Sequence, residues 1–461
     1  MTAMVTSERV KYLNNVETRE GSYILYWMVN AQRREYNHAL EYAIHMSNVS
    51  GKTLLVFFGA KVDYQYKRHN DFMLEGLRDV AVGLRNRGIR FIVGDCSGEA
   101  GIKILGKTAT IVITDKAYIK EETAARDRVM KGLKCHLVEV ESNLLIPVEV
   151  VSNKEEYAAA TIRKKIWKQI TGTSFDFFEE KVENPIFDLD VDAIDGIDGI
   201  DGIDEIDTID LSDEKLIKDK EVELVGGAIE ARHKLDDFIE NKLMNYHLRS
   251  NPSEDWSSGL SPYLHFGQIS PLEIYLRVLE VGTGSGNGGI DISGFLEELI
   301  VRRELAFNFI HYNRAYDSYE CLPAWARASL EKHKEDIREY LYSLEELENG
   351  STYDEYWNSA QRELLRSGVM HNYMRMYWGK KILEWSATPE EAFSRAIYLN
   401  NKYALDGFDP NSYTGIAWCF GKHDRPWRER DIFGMVRYMN DKGLERKFKM
   451  DGYLKRWDEN R

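Results

Sequence analysis

The sequence predicts two domains of different class: an α/β domain on a parallel sheet, followed by an all-α domain. Three observations lead there. A chain of 461 residues exceeds what one hydrophobic core organises. Between Ser22 and about Val140, short apolar β-branched runs alternate with stretches of helical period. After Gly226, long helical stretches broken by Gly, Pro and Asn follow one another and almost nothing reads as strand. A hydrophobic content of 43%, with ten Trp and 26 Tyr, excludes global disorder and supplies rings for stacking.

In chain order, residues 1–20 read as a polar N-terminal extension without the apolar stretch of a signal peptide. No run of 18 apolar residues occurs, so a soluble intracellular protein is expected, cytoplasmic in a prokaryote or nuclear in a eukaryote. The α/β domain spans 21–150. Its strand-like runs are SYILYWM, TLLVFF, IRFIV, ATIVIT and CHLVEV, with helix between them. Asp71 to Arg87 places Phe72, Leu74, Leu77, Val80 and Leu84 on one helical face, and Gly88 stops it. Repeated right-handed crossovers give a Rossmann-like sheet with ligands at the carboxyl ends of its strands.

Residues 151–225 read as an interdomain linker. Its 188–210 stretch, DLDVDAIDGIDGIDGIDEIDTID, repeats every three residues and fits neither helix nor strand. The net charge of −15 lies mostly here: residues 186–225 hold 15 Asp and Glu against three Lys, and the remainder carries only −3. The acidic balance therefore does not argue against nucleic acid. The repeat lacks the D-x-D-x-D-G spacing of a calcium loop and reads as a self-repelling connector. Cys96, Cys135, Cys321 and Cys419 form no CxxC pair, so neither a disulfide framework nor a metal centre is expected. HExxH, a Walker loop and a Ser/His/Asp elbow are absent. GTGSGNGG at 282–289 contains G-x-G-x-x-G, but a helical pattern precedes it where the dinucleotide fingerprint needs a strand.

The helical domain, 226–461, holds the chemistry. In HNYMRMYWGKKILEW, Trp378 and Trp385 stand seven residues apart, two helical turns and about 10 Å of rise. Two indoles in line suit electron relay, and equally suit a core stripe. DWSSGLSPYLHFGQISP at 255–271 presents Ser257, Ser258 and Ser261 where a helix begins, a terminus that suits a pyrophosphate and also fits plain capping. IAWCFGKHDRPWRERDIFGMVRYMN interleaves Trp418, Trp427 and Tyr438 with Lys422, Arg425, Arg428, Arg430 and Arg437. Such a surface stacks bases and holds phosphates, although Asp424, Glu429 and Asp431 dilute its charge.

Taken together, YWM at 26–28, EYAAATIRKK at 156–165, SGLSPYLHFGQISP, FLEELIVRRELAFNF at 295–309, WNSAQRELLRSGVMHNYMRMYWGKKILEW at 357–385, LNNKYALDGFDPNSYTGIAW at 399–418 and GKHDRPWRER resemble the class II cyclobutane-pyrimidine-dimer DNA photolyases, of the photolyase and cryptochrome superfamily. The resemblance covers nearly the whole chain. It implies an α/β antenna domain and an all-α FAD-binding catalytic domain. Ser257, Ser258, Leu260 and Ser261 match the family's phosphate-binding segment, Arg375 and Asp406 its ion pair beside the isoalloxazine, and Asn400 its contact at flavin N5. Trp378, Trp357 and Trp385 match its electron-transfer tryptophans, whose task is photoreduction of oxidised FAD.

On the lesion side, Glu298 matches the acid that hydrogen-bonds the dimer, Met376 the nearby wall and Trp418 the aromatic side. Arg425 and Arg437 match residues that hold flanking DNA, with Trp427 among them, and Arg249 is a further lesion contact. Arg302 departs from a family Trp, which leaves the aromatic pincer one-sided. The implied activity is light-driven repair, in which excited FADH⁻ donates an electron to an extruded dimer and recovers it after ring opening. The implied partner is UV-damaged DNA, acted on by a monomer without membrane or obligate protein partner. The antenna chromophore, a deazaflavin or a folate, stays open, because VNAQRREYNHAL departs from the usual acidic family version. A cryptochrome-like photoreceptor is the alternative; the chain's end at Arg461, right after the helical domain, and the match at Glu298 and Trp418 favour repair.

Overall fold

The computed structural model describes residues 5–61, 66–186, 203–204, 221–282 and 290–458. Seven strands form one sheet: β1 (Val10–Tyr12), β2 (Tyr23–Trp27), β3 (Thr53–Gly59), β4 (Arg90–Gly94), β5 (Ala109–Asp115), β6 (His136–Val140) and β7 (Ile203–Asp204). Their order is β1-β6-β5-β2-β3-β4-β7. The five central strands are parallel and coincide with the five apolar runs of the sequence. Alternation along them separates two cores. Ile24, Tyr26, Leu54, Val56 and Phe58 face one, and Tyr23, Leu25, Trp27, Leu55 and Phe57 face the other.

Both edge strands differ from the sequence reading. Within residues 1–20, where the sequence predicts a polar extension, β1 pairs antiparallel with β6. The acidic repeat contributes β7, antiparallel to the end of β4, and its other residues lie outside the described ones. The glycine-rich run at 283–289 also lies outside them. The helix expected over Asp71 to Arg87 runs from Lys67 to Asn86, one turn earlier at its start.

Strand order reverses between β5 and β2, which is where a doubly wound sheet opens its crevice. Here the chain's own groups occupy it. The Asp115 carboxylate accepts from the backbone N–H of Val29, Asn30 and Ala31 at 2.8, 2.9 and 3.1 Å and from the Tyr26 hydroxyl at 2.7 Å. Arg33, fully buried, donates to the Ser142 carbonyl at 2.6 Å and to the Gly267 carbonyl of the helical domain at 2.9 Å. Gly267 has φ +66°, and a Cβ there would lie 1.8 Å from the Asn30 carbonyl oxygen. Glycine is what lets the helical domain dock on the switch point.

The helical domain packs Glu355–Ser367, Asn372–Trp385, Pro389–Tyr403 and Pro410–Cys419 around a core of Trp357, Tyr377, Trp378, Ile382, Leu399 and Ile416. Each of the four starts at a side-chain cap. Asp354 accepts from the N–H of Tyr356 and Trp357, Thr388 from Glu391, Asp409 from Asn411, and His371 from Tyr373. A second bundle joins Pro271–Gly282 to a continuous helix in which a π turn, Glu297–Arg302, precedes Arg303–Tyr312.

Candidate functional site

Trp357, Trp378 and Trp385 are all buried and form one chain of rings. Trp357 stacks on Trp378 with centroids 6.2 Å apart and planes 3° from parallel, and meets Trp385 edge-on at 5.5 Å. The spacing of Trp378 and Trp385 does put them on one helix, but Trp357, from the neighbouring helix, is the link between them. The Trp357 indole N–H donates to the Trp378 carbonyl at 3.1 Å, and that of Trp378 to the Gln361 amide oxygen at 2.9 Å. Beyond Trp385 the rings continue to Tyr342 at 5.2 Å and Tyr353 at 5.7 Å, the latter half exposed. This is a contiguous aromatic path from the domain core to its surface.

On the same helix as Trp378, the Arg375 guanidinium meets Asp406 at 3.0 and 3.4 Å, both largely shielded from water. Asp406 lies in the loop between Pro389–Tyr403 and Pro410–Cys419; the same loop is held by Asn401, whose amide oxygen accepts from Phe408 N–H at 3.1 Å. Asn400 is buried, and its amide nitrogen donates to Ser412 Oγ and to Asn401 Oδ1. Its side chain is fixed as a neutral dipole. Gly259, with φ +66°, turns the chain so that Ser257, Ser258 and Ser261 lie along one segment while Leu260 is buried. Their described bonds are local, Ser257 to Asp255 at 3.2 Å and Leu260 N–H to Ser258 at 3.4 Å. The chemistry of the donor set, serine hydroxyls in one segment and an ion pair and a fixed amide in another, fits an FAD: anion binders for its phosphates, polar partners for its ring edge.

On the outer side, Glu298 sits on the π turn, and Arg249 donates to it at 3.1 Å. The same guanidinium lies 4.5 Å from the Tyr246 ring centroid. His371 ties this arm to the tryptophan helix: one ring nitrogen bonds the Arg249 carbonyl at 2.9 Å and the other accepts from Tyr373 N–H. Burial lowers its pKa, keeping the neutral tautomer this bridge requires. Met376 is half buried on that helix, and its carbonyl receives the Cys419 thiol.

Of the residues singled out near the C-terminus, Trp418, Trp427, Arg425 and Arg437 join a ladder of cations and indoles, whereas Lys422 is buried against Glu155 and the Cys321 carbonyl and Arg430 lies over Tyr438. Lys380 lies 5.2 Å from the Trp418 centroid and Arg437 5.3 Å from it; Arg437 is 4.3 Å from Trp427, and Arg425 is 5.3 Å from Trp427. Asp424 braces it, accepting from Arg437 Nε at 3.2 Å and from the Trp427 indole at 3.3 Å. The ladder climbs from a fully buried rung to an exposed one. Sequence reasoning missed Lys380, although a charged pair inside the apolar run YWGKKILEW is the signal that marks it. Arg302 turns away to Glu297, which Arg163 also holds.

One further cluster brings ligand-type atoms of His333, Asp336 and Asp431 within 4.8 Å of one another. Both ring nitrogens of His333 are engaged with carboxylates, Glu429 at 3.0 Å and Asp336 at 2.6 Å, which raise its pKa. The ring acts there as an imidazolium clamp on the C-terminal loop, where Ile432 N–H also bonds Asp336 at 2.8 Å.

Comparison with known proteins bears on the family and the fold. The DNA photolyase family model matches residues 24–181. Over 458 residues, 98% of each chain, the sequence is 44% identical to the deoxyribodipyrimidine photo-lyase of Methanothermobacter thermautotrophicus. It is 38% identical to that of Arabidopsis thaliana, covering 94% of this chain and 88% of the other. A bacterial class III photolyase from Agrobacterium tumefaciens superposes with a TM-score of 0.70 over 96% of this chain and 87% of its own, at 18% identity, a likeness of fold alone.

Proposed function

This chain belongs to the DNA photolyase family, and from that premise we propose that it is a deoxyribodipyrimidine photo-lyase that reverses cyclobutane pyrimidine dimers in DNA with light. The observation that carries the reading is a buried three-indole path whose helix, Asn372–Trp385, also carries the shielded Arg375 of the Asp406 ion pair, with the fixed Asn400 amide on the next helix. Bound FAD in its reduced form supplies the photoexcited electron that opens the cyclobutane ring. The rest is the protein's own work. Ser257, Ser258, Leu260 and Ser261 take the phosphates, and Arg375, Asp406 and Asn400 fix the ring edge. Trp378, Trp357 and Trp385 lead electrons inward from the surface to restore the reduced state.

On the substrate side, extrusion of the lesion is the general route for enzymes that act on bases, photolyases among them, and a dimer's weak stacking lowers its price. Trp418 and Met376 form the wall for the extruded dimer. Glu298, positioned by Arg249, addresses its polar edge; in its protonated form it donates a carboxyl O–H to a dimer carbonyl, a bond that is stronger once that oxygen gains negative charge. Arg425, Arg437 and Trp427 hold the flanking strand, so binding weakens with salt and shows little sequence preference. We take the protein to act as a monomer. Among the described residues no helix is long and apolar enough to cross a membrane.

The sheet's switch point, filled by Asp115 and Arg33, leaves this reading independent of an antenna pigment; the absorption spectrum of the holoprotein distinguishes a deazaflavin, a folate and none. The test of function is incubation of holoprotein with an oligonucleotide carrying a single dimer, in light and in darkness, scored by return of a restriction site spanning the lesion. Restoration in light alone supports the reading. A light-induced change in the protein with every dimer intact favours a photoreceptor and sinks it.

A further inference from the structure

Lys380 is fully buried, two residues beyond Trp378 on the same helix. Its ammonium donates to the Cys419 carbonyl and lies 5.2 Å from the Trp418 centroid. Among the described residues no carboxylate comes within ion-pair distance of it. Taking an ammonium out of water with one carbonyl as hydrogen-bond partner is unfavourable, and a Met of similar shape would fill the same space without that penalty. The position therefore carries a charge that packing does not need. What the charge faces is the indole, and the indole's other cation is the half-buried Arg437, 5.3 Å from its centroid.

We propose that Lys380 is a positioning residue of the lesion pocket: with Arg437 it clamps the Trp418 indole through one buried and one half-buried cation, and this clamp underlies the preference for dimer-containing over undamaged DNA. The inference rests on the assignment of Trp418 as the lesion wall. A half-buried indole on a helix end has freedom to rotate, and two cations near its ring hold it in one pose before DNA arrives, so less ordering is left for the binding step. Arg437 is in turn fixed by Asp424 and Trp427, so the pose of the wall is coupled to the strand-holding residues.

The clamp has a titratable inner half. Burial lowers the Lys380 pKa to about 8, with Cys419 and Asp424 opposing and Arg437 adding to the shift. These are the groups that face it: Cys419 on the Pro410–Cys419 helix, whose thiol burial pushes up to about 11, and Asp424 and Arg437 on the C-terminal loop. Arg375, a turn earlier on its own helix, also acts on Cys419. The ammonium that makes the contact is thus present below about pH 8 and lost above it.

The experiment is dark binding of holoprotein to matched duplexes with and without a dimer, read as the ratio of the two Kd values, from pH 6.5 to 9. Wild type should lose selectivity as pH rises through about 8. Lys380→Met should show roughly tenfold lower selectivity at pH 7, the loss of one desolvated cation–π contact, with no further fall at pH 9. Flavin content and Tm of the variant should match or exceed those of wild type. Unchanged selectivity in a flavin-loaded Lys380→Met protein overturns the inference, and so does a flat wild-type profile, which needs no variant. Trp418→Ala separates the two levels: if it keeps full selectivity, the wall assignment falls and takes the clamp with it.

Discussion

Replacing Trp357 by Phe removes the middle ring of the relay while keeping an aromatic side chain in the core. Two consequences differ in size. The variant loses the buried hydrogen bond from the indole to the Trp378 carbonyl, 3.1 Å long, which contributes about 1 kcal/mol. The smaller ring leaves an incompletely filled space, for about 1–2 kcal/mol more. A loss of about 2–3 kcal/mol lowers Tm by several degrees and leaves the protein folded. The functional consequence is larger, because the 6.2 Å stack and the 5.5 Å edge contact both pass through this ring. The assay is bleaching of oxidised flavin under blue light with an external thiol, alongside repair by enzyme reduced beforehand with dithionite. Bleaching should fall to a small fraction of the wild-type rate and repair should stay close to it. Wild-type bleaching, or equal loss of both, would falsify the relay.

Glu298→Ala should lower repair per photon by roughly tenfold, the worth of one hydrogen bond to a charged group, while dimer affinity changes less; a loss confined to Kd contradicts its role. Because the Arg249–Glu298 pair is over a third exposed on the Glu298 side, stability should change by less than about 1 kcal/mol. Asp406→Asn should leave Arg375 without its countercharge and reduce flavin retained through gel filtration, and stoichiometric flavin in this variant would refute the cofactor assignment. For His333, Glu429 first and Asp336 second raise the pKa. The loop clamp is then complete below the ordinary histidine pKa and is lost as pH rises through the raised one. An imidazole NMR titration should place its midpoint above that of free histidine; a midpoint at or below it removes the clamp.

How much of this was legible in the sequence follows from what each feature depends on. The five parallel strands announce themselves because strands covered on both faces become unbroken apolar runs. The strands β1 and β7 do not, since three and two residues at an antiparallel edge carry no period and draw stability from the neighbour they pair with. Trp378 and Trp385 were visible as a pair, but the contact that joins them comes from Trp357, 21 residues away from Trp378 and on another helix. The cation and indole ladder joins positions 380, 418, 427 and 437, and no local pattern reports that 380 and 437 meet at the ring of 418. The buried Lys380 illustrates the limit from the other side, because sequence shows a charge in an apolar run and only packing shows what it faces.

The central claim is that light absorbed by a flavin held in this domain splits the dimer, and an action spectrum tests it most directly. Repair per incident photon, measured from 350 to 500 nm on holoprotein reduced in advance, should follow the absorption of the bound reduced flavin, with any extra band matching a pigment seen in the same preparation. Repair that ignores wavelength, persists in darkness, or survives removal of the flavin would contradict it.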